Sequence, residues 1–230
     1  MKAFKLTKED LKTRYTKWII GIPVTAEGNG PKLCSDGWIH FYIDPIIAVL
    51  MNPAHANFNP FRMFECETSG EHLHEPLKSG CKTLTITKEI TPPEVTVVNR
   101  IAFGILCTLE IEQSAKYMKW AKGWLDNNDR SRYASDAANA ASYTASACSA
   151  AYAAGAYNAA AAAYNAAAAC AAATANAGAY NAAAASSYAA AYTAAYNAAN
   201  AAANATANSL NNSIINIDFI AIANKALTYK

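Results

Sequence analysis

The chain has 230 residues, of which 53% are hydrophobic and only 16% charged, with a formal net charge of +2. Alanine inflates the hydrophobic share: it fills 43 of the 75 positions from Ala134 to Asn208, and each Ala has little area to bury at roughly 25 cal/mol per Å². These figures exclude a membrane-spanning chain, which needs ~20 consecutive large apolar residues, and a basic nucleic-acid binder, which needs a clustered excess of Lys and Arg.

In chain order, the first prediction is a strand at Lys2–Leu6, where apolar and polar residues alternate. Trp18–Pro23 is a short apolar run stopped by Gly21 and Pro23, and Glu27–Pro31 carries turn chemistry. Lys32–Ile43 reads as two short extended pieces around Asp36-Gly37. Asp44-Pro45 predicts a helix start, Asp capping and Pro in the first helical position, with Ile46, Ile47, Val49 and Leu50 on the helix and a stop by Pro53. Arg62–Glu67 and Thr83–Thr87 alternate as half-buried strands do, with Ser69–Gly80 as a polar loop between them.

From residue 91 the period changes to that of a helix. Thr91 and Thr96 are competing caps, after which Val97, Val98, Ile101, Ala102, Ile105, Leu106 and Leu109 share a face. Tyr117, Trp120, Ala121 and Trp124 repeat at helical spacing, and Asp126–Ser131 is a polar break. In the Ala-rich segment Tyr188, Tyr192 and Tyr196 are four apart, as are Asn200, Asn204 and Asn208. Those spacings predict helices rather than a β-solenoid. Leu210, Ile214, Ile217 and Ala221, with Ile215, Phe219 and Ile222 beside them, predict a closing helix. The expected fold class is α+β: a mixed N-terminal domain over 1–90, linking helices over 91–131, an all-α Ala-rich array over 132–208 and a docking helix over 209–230.

The N-terminus lacks an apolar signal region. The six cysteines (Cys34, Cys66, Cys81, Cys107, Cys148, Cys170) stand singly and read as reduced cytosolic thiols.

Several motifs together carry a resemblance. They are Lys2–Lys5, Leu33-Cys-x-x-Gly-Trp-x-His40 followed by Tyr42, Leu50–Ala56, Gly80–Thr85, Arg100–Cys107, Trp120–Ser131 and Ile217–Ala221. With them the chain resembles a family of uncharacterised bacteriophage and prophage proteins over nearly its whole length. The resemblance implies a phage accessory role in the host cytoplasm and no particular chemistry. One departure is informative: arrays of that family usually carry Arg, Asp, Glu and Trp, whereas this one uses Asn, Tyr and Thr.

The densest candidate site is Gly37–Tyr42. On a strand, Trp38, His40 and Tyr42 share one face and Ile39, Phe41 and Ile43 the other. The aromatic and imidazole face suits stacking on a planar ring, and the competing reading is a structural strand with a hydrogen-bonded His. His55 lies in Asn52–Asn57, which reads as a loop able to come near His40. Glu71-His-Leu-His-Glu75 has metal-ligand types at i, i+2 spacing but no second ligand cluster. Glu65 and Glu67 alternate as the wet face of a strand would. No Gly-rich phosphate loop or nucleophile elbow occurs.

The expectation is therefore a binding protein rather than an enzyme, with Trp38, His40, Tyr42 and His55 as ligand contacts and no cofactor or metal. Its expected partner is a host or defence protein, or a small-molecule ligand, and not nucleic acid or membrane. Homo-oligomers are expected through the Ala-rich scaffold. The alternatives are a degenerate ADP-ribosyltransferase-like enzyme and a virion-associated structural protein.

Overall fold

The computed structural model describes residues 2–56, 58–110, 115–130 and 217–230, which fall into two units, Met1–Val95 and Thr96–Lys230. Together they make a mixed α+β architecture, with an antiparallel sheet in the first unit and helices in the second.

In the first unit, β1 (Ala3–Lys8) pairs antiparallel with β6 (Phe61–Glu75), which forms a long hairpin with β7 (Lys78–Ile90). Two short strands, β4 (Val24–Thr25) and β5 (Ile39–Phe41), pair with the other edge of β7. A separate hairpin joins β2 (Lys12–Thr13) to β3 (Thr16–Lys17). The sheet curls on itself. Phe4 and Tyr42 exchange backbone hydrogen bonds of 2.8 and 2.9 Å, so the end of β5 meets β1.

Two register shifts interrupt the β6–β7 hairpin, at positions where a bulged strand bends and twists more strongly. At the first, Thr87 is the extra residue and its hydroxyl donates to Glu65 O at 3.0 Å. At the second, Gly70 has φ +78°, and a Cβ there would stand 3.0 Å from the Cβ of Lys82. Inside the curl, Trp18, Phe41, Phe64, Cys81, Leu84 and Ile86 are buried in one core. Each large apolar side chain so buried contributes about 1.5–3 kcal/mol.

Helix α1 (Pro45–His55) packs against β1. Its start is the predicted one: Asp44 Oδ1 accepts from the Ile46 and Ile47 N–H groups at 2.8 and 3.0 Å. Its end is later than predicted, because the helical backbone passes Pro53 and stops at His55. Ala56 N–H closes the end on Asn52 O at 2.7 Å, and the Asn52 side chain exchanges two hydrogen bonds with the backbone of Phe58.

Two other expectations are corrected here. Ser69–Gly80 is not a loop: both strands continue through it and turn only at Pro76-Leu77. On the β6 side, Ser69–Glu75 is polar because none of these residues is buried, which hides a strand from a search for apolar residues. Of Lys32–Ile43 only Ile39–Phe41 is strand, and the rest is turns, including a Gly30 N–H bond to Asp36 O at 2.9 Å.

In the second unit, α2 (Val97–Leu109) starts at Thr96, where the Thr96 and Asn99 side chains each accept from the other's backbone N–H. Burial runs from Asn99 through Cys107 and not along one stripe, so the predicted face is widened by Phe103 and Cys107. Asn99 Nδ2 also donates to Ala226 O and Tyr229 O, tying α2 to the end of α4 (Phe219–Ala226).

Helix α3 (Ala115–Leu125) buries Trp120, Ala121 and Trp124, and Arg130 stacks over the Trp124 ring at 4.4 Å. Helix α4 is capped by Asp218 and buries Phe219, Ile222, Ala223 and Ala226, whereas Ala221, expected on the packed face, is exposed. The array over 132–208, the Tyr117 side chain, Leu210, Ile214 and Ile215 lie outside the described residues. No helix among the described residues is long and apolar enough to cross a membrane.

Candidate functional site

Trp38, His40, Tyr42 and His55 all line one cleft of about 460 Å³ in the N-terminal unit, within the roughly 300–1,000 Å³ typical of small-ligand pockets. The topology explains the gathering. Past the Phe4–Tyr42 bridge, β1 and β5 stop pairing, and Leu6 and His40 face the opening. The β2–β3 hairpin adds Thr13, Arg14 and Thr16, the end of α1 adds His55, and the segment before β5 adds Cys34 and Trp38. Alternation along β5 sends Phe41 into the core and His40 to the cleft, as the strand reading expects, but Ile39, expected in the core with Phe41, also lines the cleft and Ile43 is exposed.

The four residues are held in different ways. Trp38 donates its Nε1–H to Gly30 O at 2.8 Å, and the Lys82 ammonium lies 4.3 Å from its ring centroid. Trp38 also sits over Gly80, where a Cβ would meet Trp38 Cβ at 3.3 Å and press into Leu33. The Trp38 ring is therefore already engaged by the protein, which reduces its value as a stacking platform. His40 Nε2 bonds to Leu33 O. Burial, followed by the charges of Lys5, Lys78 and Arg14, holds the His40 imidazole below its usual range, against the raising effect of that bond.

Tyr42 and His55 lie nearly parallel, with ring centroids 5.9 Å apart, and Tyr42 Oη meets His55 Nδ1 at 2.9 Å. Burial, then Lys78 and His40, lower the His55 pKa to about 4. The ring is neutral at pH 7, and the tautomer sets whether Tyr42 Oη or His55 Nδ1 donates in this bond.

Sequence reasoning missed the cations. Lys5 is 9% exposed. Its Nζ donates to His40 O at 2.6 Å and lies 5.3 Å from the Trp18 ring centroid. Burial lowers its pKa to about 8, Cys66 and Cys81 opposing that shift and Arg14 adding to it. Lys78 donates to Cys34 Sγ at 2.7 Å and pairs with Glu75 at 3.6 Å. Arg14 occupies a left-handed backbone conformation, φ 49°, at the tip of the β2–β3 hairpin. Lys5 alternates with Phe4 and Leu6 and reads as an outward residue, and Thr13-Arg-Tyr-Thr16 lacks the Gly or Asn that marks such a turn. Neither position had a signal to find.

The remaining candidates sit elsewhere. His72 and His74 stack at 6.0 Å but turn to the hydroxyls of Thr68 and Ser79, each at 2.9 Å. Cys81 is buried, with its thiol directed to Ile39 O. Among the described residues no group of three or more His, Cys, Asp or Glu is placed to hold a metal ion. Glu65 borders the first bulge, half-buried, and Glu67 is exposed. In the cleft, basic groups and hydroxyls predominate over carboxylates, which suits holding an anion.

No curated protein and no solved structure matches the chain. Residues 1–98 match a family described as a domain of unknown function (DUF7666), and that match covers the unit holding the cleft and all four candidate residues.

Proposed function

We propose that the chain is a non-enzymatic binding protein of the phage accessory kind, acting in the host cytoplasm on a host or defence component. On this reading the component it recognises is a small ligand taken into the N-terminal cleft. The observation that carries the reading is the convergence of Trp38, His40, Tyr42 and His55 with Lys5, Arg14 and Lys78 on one cavity of ligand size. The neutral state of His55 at pH 7 and the bond of His40 to the backbone favour recognition over proton transfer.

The Ala-rich helices over 132–208 act as a packing and assembly scaffold in this account, and the chain works as a homo-oligomer. The residue spacings support the helices, and the near absence of charge there lowers the desolvation cost of association.

Thermal-shift screening of the full chain against a library of charged and neutral metabolites tests the ligand reading. A hit stabilises by mass action, about 2.7 kcal/mol at a hundredfold excess over Kd. The stabilisation should disappear in His55→Ala. A flat response across the library would remove the proposal. Light scattering of the full chain tests the assembly, and a monomer at all concentrations counts against it.

A further inference from the structure

Two features of the cleft are costly to the fold, and both bring positive charge to the same place. Arg14 holds a left-handed conformation that a side chain with a Cβ adopts at a cost, in the first loop position of a two-residue hairpin, where glycine is favoured. Its guanidinium has no hydrogen-bond or ion-pair partner among the described residues, although it lines the cleft and carries five N–H donors. Lys5 is buried with an ammonium that meets a carbonyl and an indole face but no carboxylate among the described residues. A buried cation without an anion is expensive. Strain and unmatched charge concentrated on one cavity are what a site awaiting a counter-ion shows.

We infer that the cleft receives the phosphate of a small phosphate monoester, held by Arg14 at the mouth, Lys5 at the floor and the hydroxyls of Thr13 and Thr16 on either side of Arg14. This rests on the reading of the cleft as a ligand site and narrows the class of ligand.

Two details favour phosphate over a carboxylate, and a third favours an anion of either kind. The lining cations Lys5, Arg14 and Lys78 face one lining carboxylate, Asp36. Lys78 is set against Glu75, which leaves Lys5 and Arg14, neither ion-paired among the described residues, as two charges to meet the about −1.5 to −2 of a phosphate monoester at pH 7. Arg14 is exposed and Lys5 buried, so the two cations stand at different depths of the cleft. A tetrahedral group with three oxygens answers both, whereas a planar carboxylate presents a single edge. Finally, Trp18 Nε1–H donates to Thr13 Oγ1 at 2.8 Å, so the Thr13 hydroxyl keeps its own proton to give. The volume exceeds that of bare phosphate and leaves room for an organic group beside Tyr42 and His55.

The test is calorimetric titration of the full chain with inorganic phosphate, phenyl phosphate and benzoate at constant ionic strength. Phenyl phosphate is expected to bind about tenfold or more tighter than benzoate, with inorganic phosphate competing. Arg14→Asn keeps a residue that tolerates the left-handed turn, so it should fold at least as well as the wild type and bind phenyl phosphate about tenfold more weakly. Lys5→Met should weaken binding as well. Equal affinity for benzoate and phenyl phosphate, or an Arg14→Asn protein that binds like the wild type, overturns the inference. If only a neutral library ligand binds, and binding is lost in His55→Ala, the phosphate assignment falls while the ligand-site reading stands. If no phosphate compound and no library member binds, both fall.

Discussion

Replacing Lys5 with Met tests whether a buried cation is held at the floor of the cleft against the interest of the fold. The Lys5 pKa is lowered by burial to about 8 from 10.5, so the folded chain binds fewer protons than the unfolded chain between these values. Stability therefore carries the full cost of the buried charge below pH 8 and recovers as pH rises from about 8 to 10.5. That recovery amounts to about 1.3 kcal/mol between pH 7 and 9 and about 2.5 kcal/mol by pH 10. The thiols act in the opposite direction. Burial raises the Cys66 and Cys81 pKa values to about 12 and about 11, so both remove stability above pH 9.

The wild-type profile is thus nearly flat, and the informative quantity is its difference from Lys5→Met, in which the thiols cancel. At pH 7 the variant loses the bond to His40 O, a cost of about 1–3 kcal/mol, but sheds a charge-burial cost of about 3 kcal/mol. Its stability should lie between neutral and about 2 kcal/mol above wild type. That difference should shift toward the wild type by about 2.5 kcal/mol on going to pH 10. Urea unfolding read by hydrogen exchange in β1 peptides isolates this unit. A difference that stays constant from pH 7 to 10 would refute the buried-cation reasoning.

Arg14→Asn relieves the left-handed strain and should stabilise the N-terminal unit by about 0.5–1 kcal/mol; a lower urea midpoint contradicts it. Gly80→Ala should cost about 1–3 kcal/mol, because its methyl collides with Leu33 and crowds Trp38; a thermal midpoint matching wild type counts against the packing described. Asp44→Ala removes both cap bonds of α1 and should cost about 1 kcal/mol, measured by urea unfolding. His55, neutral in the fold with a pKa of about 4 against an ordinary 6.5, contributes stability that is full above pH 6.5 and lost toward pH 4. The loss should be about 3 kcal/mol between pH 7 and pH 4, and it should be absent in His55→Ala.

Local rules expressed in consecutive residues made some of the structure readable in advance. Asp44-Pro45 announces a cap and a first turn in two letters, and alternation from Trp38 to Tyr42 assigns the cleft face and the core face of β5. The β6–β7 hairpin was harder, because polar residues from Ser69 to Glu75 continue a strand whose outer end buries little. The cations of the cleft were not readable at all. Lys5 is buried by a tertiary event, the curl that brings β5 to β1, and no local pattern encodes that closure. Arg14 breaks the turn rule, so a reader using the rule passes over it. Departures from local preference are expected where a site imposes its own demands, and both departures fall in this cleft.

The central claim is that the N-terminal cleft is a ligand site. Hydrogen exchange of the full chain, with and without saturating phenyl phosphate, measures it most directly, because protection is mapped onto the chain. Exchange should slow in peptides spanning Thr13–Trp18, Trp38–Tyr42 and the end of α1 near His55, with the second unit unchanged. Protection confined to other segments, or none at a concentration that saturates calorimetric binding, would contradict it.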